Sequence, residues 1–356
     1  MSAAAAALRR ATFGKFAARL ALALFVALFL IGLPEGAGSG PKTADWPGDT
    51  ALYRAVIQRL RHGEPYETAA VAEMRARRFP LRPFLVVRPP ALDVLLSWLP
   101  DGMIPAMVEL VLALNVVAAW TWRLRGAPPG PWRVGWAALA VFTGVIPGMI
   151  GGGYATLFHE EWAGLLIALS LALRTDSRFG AAAALGLLAA LIRELALPYL
   201  LVMAAFAATE RRWREAAAFA AALAAAALAL AVHAGAVNAL VTSQDSPAVR
   251  SWAAFSGWRL VVEANDWNLV AILLGKLARA LLFPAALIGA LGWGDRRLLT
   301  LLIGYAAGFM VFGRLENFYW GLIVAPLVGV GLALAPSAFR NLWVSAGLPA
   351  RRPATV

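Results

Sequence analysis

Apolar residues in this chain run together rather than alternate. About ten runs of roughly 12–24 residues stand out, at 16–33, 103–122, 133–150, 162–173, 179–192, 195–208, 216–236, 269–292, 298–312 and 319–335. A membrane-spanning strand would place a polar residue at every second position. The stretch 20–30 reads Leu-Ala-Leu-Ala-Leu-Phe-Val-Ala-Leu-Phe-Leu and does not. Lipid offers the backbone no hydrogen-bond partner, so such runs are expected as helices. The pattern predicts an all-α integral membrane protein of about ten transmembrane helices, with a helical first loop outside the membrane. No internal repeat is visible, so 1–356 reads as a single polytopic membrane domain.

Two of the runs, 179–192 and 195–208, are short. Fourteen residues of helix rise only about 21 Å, against a hydrocarbon core about 30 Å thick. The Arg193-Glu194 tip between them is therefore expected to stop below the outer surface.

The charges that punctuate the runs fall into two alternating sets. One holds Arg123, Arg125 and Arg133, then Arg174 and Arg178, then Arg211, Arg212 and Arg214, then Arg296 and Arg297, then Arg340, Arg351 and Arg352. The positive-inside rule puts this set in the cytoplasm, together with both termini. The other set holds Glu160-Glu161, Arg193-Glu194 and the stretch from Arg314 to Asn317. The expected location is the bacterial inner membrane, multi-pass. Composition agrees: 61% of residues are hydrophobic and mean hydropathy is +0.70. The net charge of +12, nearly all of it Arg, then reads as a topology signal rather than a nucleic-acid footprint, and no nucleic-acid partner is expected. With no Cys there is no disulfide and no thiolate metal site. The first run follows Arg9, Arg10, Lys15 and Arg19, as in a signal peptide, with small residues at 36–39. Its length and the runs behind it favour a retained anchor.

Two long loops fall on the outer side, 34–102 and 237–268. The first predicts helices near 49–61 and 66–78, and an apolar stretch over 91–99 bounded by Pro90 and Pro100 that suits the membrane interface. The second carries Trp252 and Trp258, residues suited to headgroup level.

Charges at bilayer depth mark functional sites by default. Three such groups arise: His159-Glu160, Arg193-Glu194, and Arg314 with Glu316-Asn317. They line a wet hollow that faces substrate, or they neutralise one another as packing contacts, Arg193 with Glu194 or Glu316. In the first loop Asp49 follows Gly48. It is either a helix N-cap or a carboxylate held at the membrane surface, with Asp45 as the second choice. Three glycines at 151–153 precede His159 and let the backbone turn or approach a ligand closely. No phosphate loop, Asp-x-Asp or Gly-x-Ser-x-Gly motif is present. No cofactor is implied, although the acidic groups are compatible with a divalent cation.

The first loop reads Asp49-x-x-x-Tyr53, then Gly63-x-x-Tyr66, then Arg78-Phe-Pro-Leu-Arg82-Pro, then Arg88-Pro-Pro. With one membrane helix before it, this order resembles the GT-C superfamily of polyprenyl-phosphate-sugar-dependent glycosyltransferases, in its bacterial mannosyltransferase-like branch. The resemblance implies a GT-C-like fold and a lipid-linked sugar donor. It also implies transfer to a lipid or glycan acceptor on the extracytoplasmic face, and a catalytic acid in the first loop, which by position is Asp49. The Asp-Glu pair of some branches is absent.

One carboxylate is chemically sufficient. A general base takes the acceptor hydroxyl proton as that oxygen attacks the anomeric carbon. The lipid phosphate leaves readily and needs cations, for which Arg is well shaped. Asp45, Tyr53, Arg88, His159, Glu160, Arg193, Glu194, Arg314, Glu316 and Asn317 are the expected substrate-binding residues. A transporter or lipid flippase with an intramembrane charged cavity is the rival reading. A non-catalytic membrane assembly protein is the third.

Overall fold

A computed structural model describes residues 13–35, 46–125, 133–146, 155–245, 253–294 and 296–349. Among them there is no strand, and the all-helical expectation holds. Five helices are long and apolar enough to cross a membrane: Lys15–Pro34, Met103–Leu124, Trp213–Leu240, Lys276–Trp293 and Leu315–Ser345. Three shorter apolar helices, Val134–Val145, Phe179–Ile192 and Glu194–Thr209, accompany them. The ten expected runs therefore divide into long helices and shorter ones, and length with composition identifies only five as spans.

The chain folds as two compact units. The first comprises 1–38, 117–146 and 255–356; the second comprises 39–116 and 147–254.

In the first unit lie α1 (Lys15–Glu35), α6 (Arg133–Val145), α11 (Gly257–Glu263), α12 (Leu269–Leu274), α13 (Lys276–Trp293), α14 (Arg296–Phe312) and α15 (Gly321–Ser345). The span containing α15 is the central element, 83% buried, whereas α1 is only 11% buried and presents its apolar surface outward. Small residues let the backbones close on α15. A Cβ placed on Gly289 of α13 would fall on the Gly331 carbonyl, and one on Gly329 would press on the Ala140 carbonyl of α6. Close backbone packing of this kind is what associates helices where lipid supplies no hydrophobic drive between them. At one end of α1, Arg19 donates to the Ala346 carbonyl at 3.0 Å, and Phe25 meets Phe339 edge to face.

The second unit contains α2 (Trp46–Arg61), α3 (Tyr66–Ala76), α4 (Ala91–Trp98) and the first part of α5 (Met103–Leu124). It also holds α7 (His159–Leu173), α8 (Phe179–Ile192), α9 (Leu197–Thr209) and α10 (Trp213–Leu240). The three loop helices start and stop close to the places the sequence predicts. Leu52, Val56, Tyr66, Ala70 and Met74 pack on Val237 of α10 and form the loop's apolar core. Two polar clamps join loop to membrane helix. Arg75 makes a two-pronged pair with Asp245 at 2.6 and 2.9 Å, and His233 sits 3.1 Å from both Glu67 and the Val87 carbonyl. Helices α7 and α8 meet through the Ser170 hydroxyl, 2.6 Å from the Ala182 carbonyl and 2.5 Å from the Tyr199 hydroxyl.

Candidate functional site

Two chain breaks create a buried polar centre in the second unit. Helix α8 ends where Arg193 adopts extended geometry (φ −146°, ψ 118°), and a short 3-10 turn over Glu194–Ala196 leads into α9. Helix α7 begins directly after Phe158, itself extended, so His159, Glu160 and Glu161 occupy its first turn. All three are at most 2% exposed, and Arg193 is 1% exposed. The Arg193 Nε lies 2.6 Å from Glu160 Oε1, and its Nη1 contacts Glu194. Arg88 from the first loop approaches the same Glu160 oxygen at 3.8 Å.

Beside this network lies a second pair. Asp93 of α4 is 1% exposed, and its carboxyl stands 3.8 Å from His159 Nε2. Neither side chain completes a hydrogen bond of normal geometry with protein. The Tyr53 ring of α2 lies 5.2 Å from the His159 ring, centroid to centroid. The Tyr66 hydroxyl donates to the Arg88 carbonyl at 2.9 Å. Burial pushes the Asp93 carboxyl up to about 7, against the opposing pull of the Tyr66 hydroxyl and the Arg88 charge. Tyr53, Tyr66, Arg88 and Asp93, with apolar residues such as Val56 and Met74, line a void of about 20 Å³. That is room for one water-sized group with several polar partners.

Six expected residues thus converge: Tyr53, Arg88, His159, Glu160, Arg193 and Glu194. Asp49 lies four residues before Tyr53 on the same helix, so the two share a face one turn apart. Because α2 begins at Trp46, Asp49 occupies its first turn rather than the N-cap. Asp45 and the glycines at 151–153 lie outside the described residues. Arg314, Glu316 and Asn317 belong to the first unit. There they form their own turn, in which the Arg314 N–H donates to Asn317 Oδ1 at 3.0 Å and Glu316 is exposed.

For Arg193 the geometry favours the packing alternative over an open phosphate ligand. Two carboxylates hold its guanidinium, one of them on α7 rather than only its sequence neighbour. A pairing across 33 positions had no signal in local spacing. Arg82 donates to the Thr242 carbonyl, which leaves Arg88 as the loop arginine that reaches the centre.

Sequence reasoning missed Asp93, Glu109 and Glu161. Each had a signal. Asp93 is the only charge in an apolar octad, on the face that also buries Leu92 and Leu96. Glu109 is an acidic residue inside a 22-residue apolar helix, where it accepts from Thr156 at 2.8 Å. Among the described residues no three His, Asp or Glu side chains converge as a metal-holding group. A larger cavity of about 370 Å³ opens nearby in the same unit, between α2, the end of α4, the start of α5 and Thr156-Leu157. Set against known proteins, the chain matches no family model, no curated protein and no solved structure.

Proposed function

We propose that this protein is an integral-membrane glycosyltransferase that moves a sugar from a polyprenyl-phosphate donor to a lipid or glycan acceptor on the extracytoplasmic face. The observation that carries the reading is the approach of the Tyr53 ring of α2, one turn along the helix from Asp49, to a buried polar centre of Arg88, Asp93, His159 and Glu160. In this reading Asp49 takes the proton of the acceptor hydroxyl as that oxygen attacks the anomeric carbon. The bond to the lipid phosphate breaks with its electron pair, and Arg88 stabilises the leaving charge. Asp93, poised near neutrality, is the second carboxyl able to accept a proton. Glu160, itself held by Arg193, draws Arg88 toward the centre. The proposal rests on residues of the second unit alone. It goes with ten spans in a bacterial inner membrane, the GT-C-like loop outside and both termini in the cytoplasm.

Incubating the purified full-length protein with radiolabelled polyprenyl-phosphate sugars tests the proposal. Label is expected to move onto lipid or glycan. Asp49→Asn is expected to cut the rate by roughly a hundredfold or more while the protein stays in the membrane. Full activity in Asp49→Asn together with loss in Asp93→Asn would reassign the base to Asp93. No transfer from any such donor by the unaltered protein would sink the reading.

One observation favours transport instead. Glu109 and Glu161 are buried carboxyls on helices α5 and α7, and each has an oxygen without a hydrogen bond. Proton-coupled flux in sealed vesicles, abolished by Glu109→Gln, would support that alternative.

A further inference from the structure

The backbone that carries Arg88 into the centre has little secondary structure of its own. Arg88 comes just after the 3-10 turn Phe84–Val86 and before Pro89 and Pro90, which have no N–H to give. Side chains hold this stretch instead. His233 of α10 stands 3.1 Å from the Val87 carbonyl, and the Tyr66 hydroxyl of α3 donates to the Arg88 carbonyl at 2.9 Å. The other ring nitrogen of His233 is also engaged. Its Nδ1 lies 3.1 Å from Oε1 of Glu67, the neighbour of Tyr66 in the first turn of α3.

The number of protons decides what this arrangement can hold. A carbonyl only accepts, and so does a carboxylate, whereas a neutral imidazole has one N–H and one lone pair. Both contacts are hydrogen bonds only when both ring nitrogens carry a proton, or when Glu67 carries one and donates it to Nδ1. In both cases the pair holds one proton more than a neutral ring beside a carboxylate. Without that proton, a ring lone pair is turned on the Glu67 carboxylate or on the Val87 carbonyl. His233 is 3% exposed and Val87 1%, so water has little access to make up the lost bond.

We infer that the His233–Glu67 pair is a proton-operated latch on the Val87–Arg88 backbone, closed while the pair holds the extra proton and loosened when it leaves. That a loosened latch slows sugar transfer, by letting Arg88 drift from Glu160, rests on the function proposed above; the latch itself does not. The titratable groups facing His233 are Glu67 of α3 and Tyr66 beside it, whose ring lies 6.1 Å away. Arg88 and Asp93 lie beyond Tyr66. Among the described residues, α8 and α9, which also pack on α10, bring no charged side chain into hydrogen-bond or ion-pair contact with His233.

Hydrogen exchange of the full-length protein in detergent, read by mass spectrometry on peptides covering 81–92, tests the latch. After correction for the chemical exchange rate, protection of the 84–88 amides is expected to fall roughly tenfold between about pH 5 and pH 9, the worth of one charge-assisted hydrogen bond. Glu67→Gln supplies a neutral N–H to Nδ1, so protection is expected to stay high at both pH values. His233→Phe is expected to leave it low at both. Asp93→Asn removes the other carboxyl near this segment and is expected to keep the fall. Should His233→Phe fail to fold, the contrast between Glu67→Gln and Asp93→Asn decides. Equal protection at both pH values in the unaltered protein, or a fall that survives Glu67→Gln, would overturn the inference. So would a fall that Asp93→Asn abolishes, which would make Asp93 the sensor. Transfer is assayed on the same samples. A latch that titrates in a protein without transfer leaves this inference standing and removes only the proposed function.

Discussion

Arg193 shows how a single buried charge decides the character of its surroundings. Its guanidinium is held by Glu160 and Glu194, so replacing it alone strands two carboxylates away from water. Arg193→Met is expected to cost about 3–5 kcal/mol, and adding Glu160→Leu to restore at least half of it, read by thermal unfolding in detergent. A double variant no more stable than the single one would show that the pair is not structural. Asp93 yields a prediction in pH. Its carboxyl is raised from 3.8 to about 7, so the folded state holds a proton that the unfolded chain releases earlier. Stability from this group is therefore full below about pH 4, falls as pH rises toward 7 and is constant above it. Asp93→Asn is expected to raise stability by up to about 4 kcal/mol at pH 8 and by little at pH 4. A gain of the same size at both values would contradict the assignment. Arg193 was singled out as a charge in apolar company, and Asp93 was missed although it is the only charge of its apolar helix. Their partners carried no signal, because Glu160 lies 33 positions from Arg193 and His159 lies on a different helix from Asp93.

Among elements, the first unit depends on how closely α13 and α15 approach. Gly289 and Gly331 face each other with no room for a side chain. Gly289→Leu is expected to destabilise by about 1–3 kcal/mol through overpacking. On the open face of α14, Gly304 has nothing within contact range of an added Cβ. Gly304→Ala is expected to be neutral or to stabilise by up to about 1 kcal/mol through helix propensity. Thermal melts of the two variants in one detergent compare them directly, and equal losses would show that close approach is not what holds α15. The loop helices were legible from hydrophobic periodicity: 66–78 was expected and Tyr66–Ala76 is observed, and 91–99 was expected against Ala91–Trp98. The start of α2 was misjudged by three residues, because Gly48 and Asp49 look like a helix stop and cap but lie within the first turn.

For the whole molecule, the expected membrane arrangement rests on charge bias, and the absence of cysteine makes it simple to check. Thr68 and Ser177 are both exposed residues of the second unit. With Thr68→Cys or Ser177→Cys as the sole thiol, an impermeant maleimide applied to intact cells is expected to label the first and spare the second. The reverse pattern would invert the topology and remove the extracytoplasmic site. The division into two units cuts across the sequence order, since 117–146 joins the first unit and the segments on either side join the second. No composition change along the chain marks that exchange.

Local physics determined the helical class, the helices long and apolar enough to span a membrane and the loop elements, because burial of apolar runs and backbone hydrogen bonding act within a few turns of chain. It also determined that the charges at 159–160 and 193–194 would be exceptional. Which charge meets which was decided only in three dimensions. Arg193 answers Glu160, Asp93 faces His159, and Arg54 and Arg61 border a cavity at the head of α5. Pairing energy depends on distances of a few ångströms between side chains far apart in sequence, and no spacing along one strand of text encodes those distances.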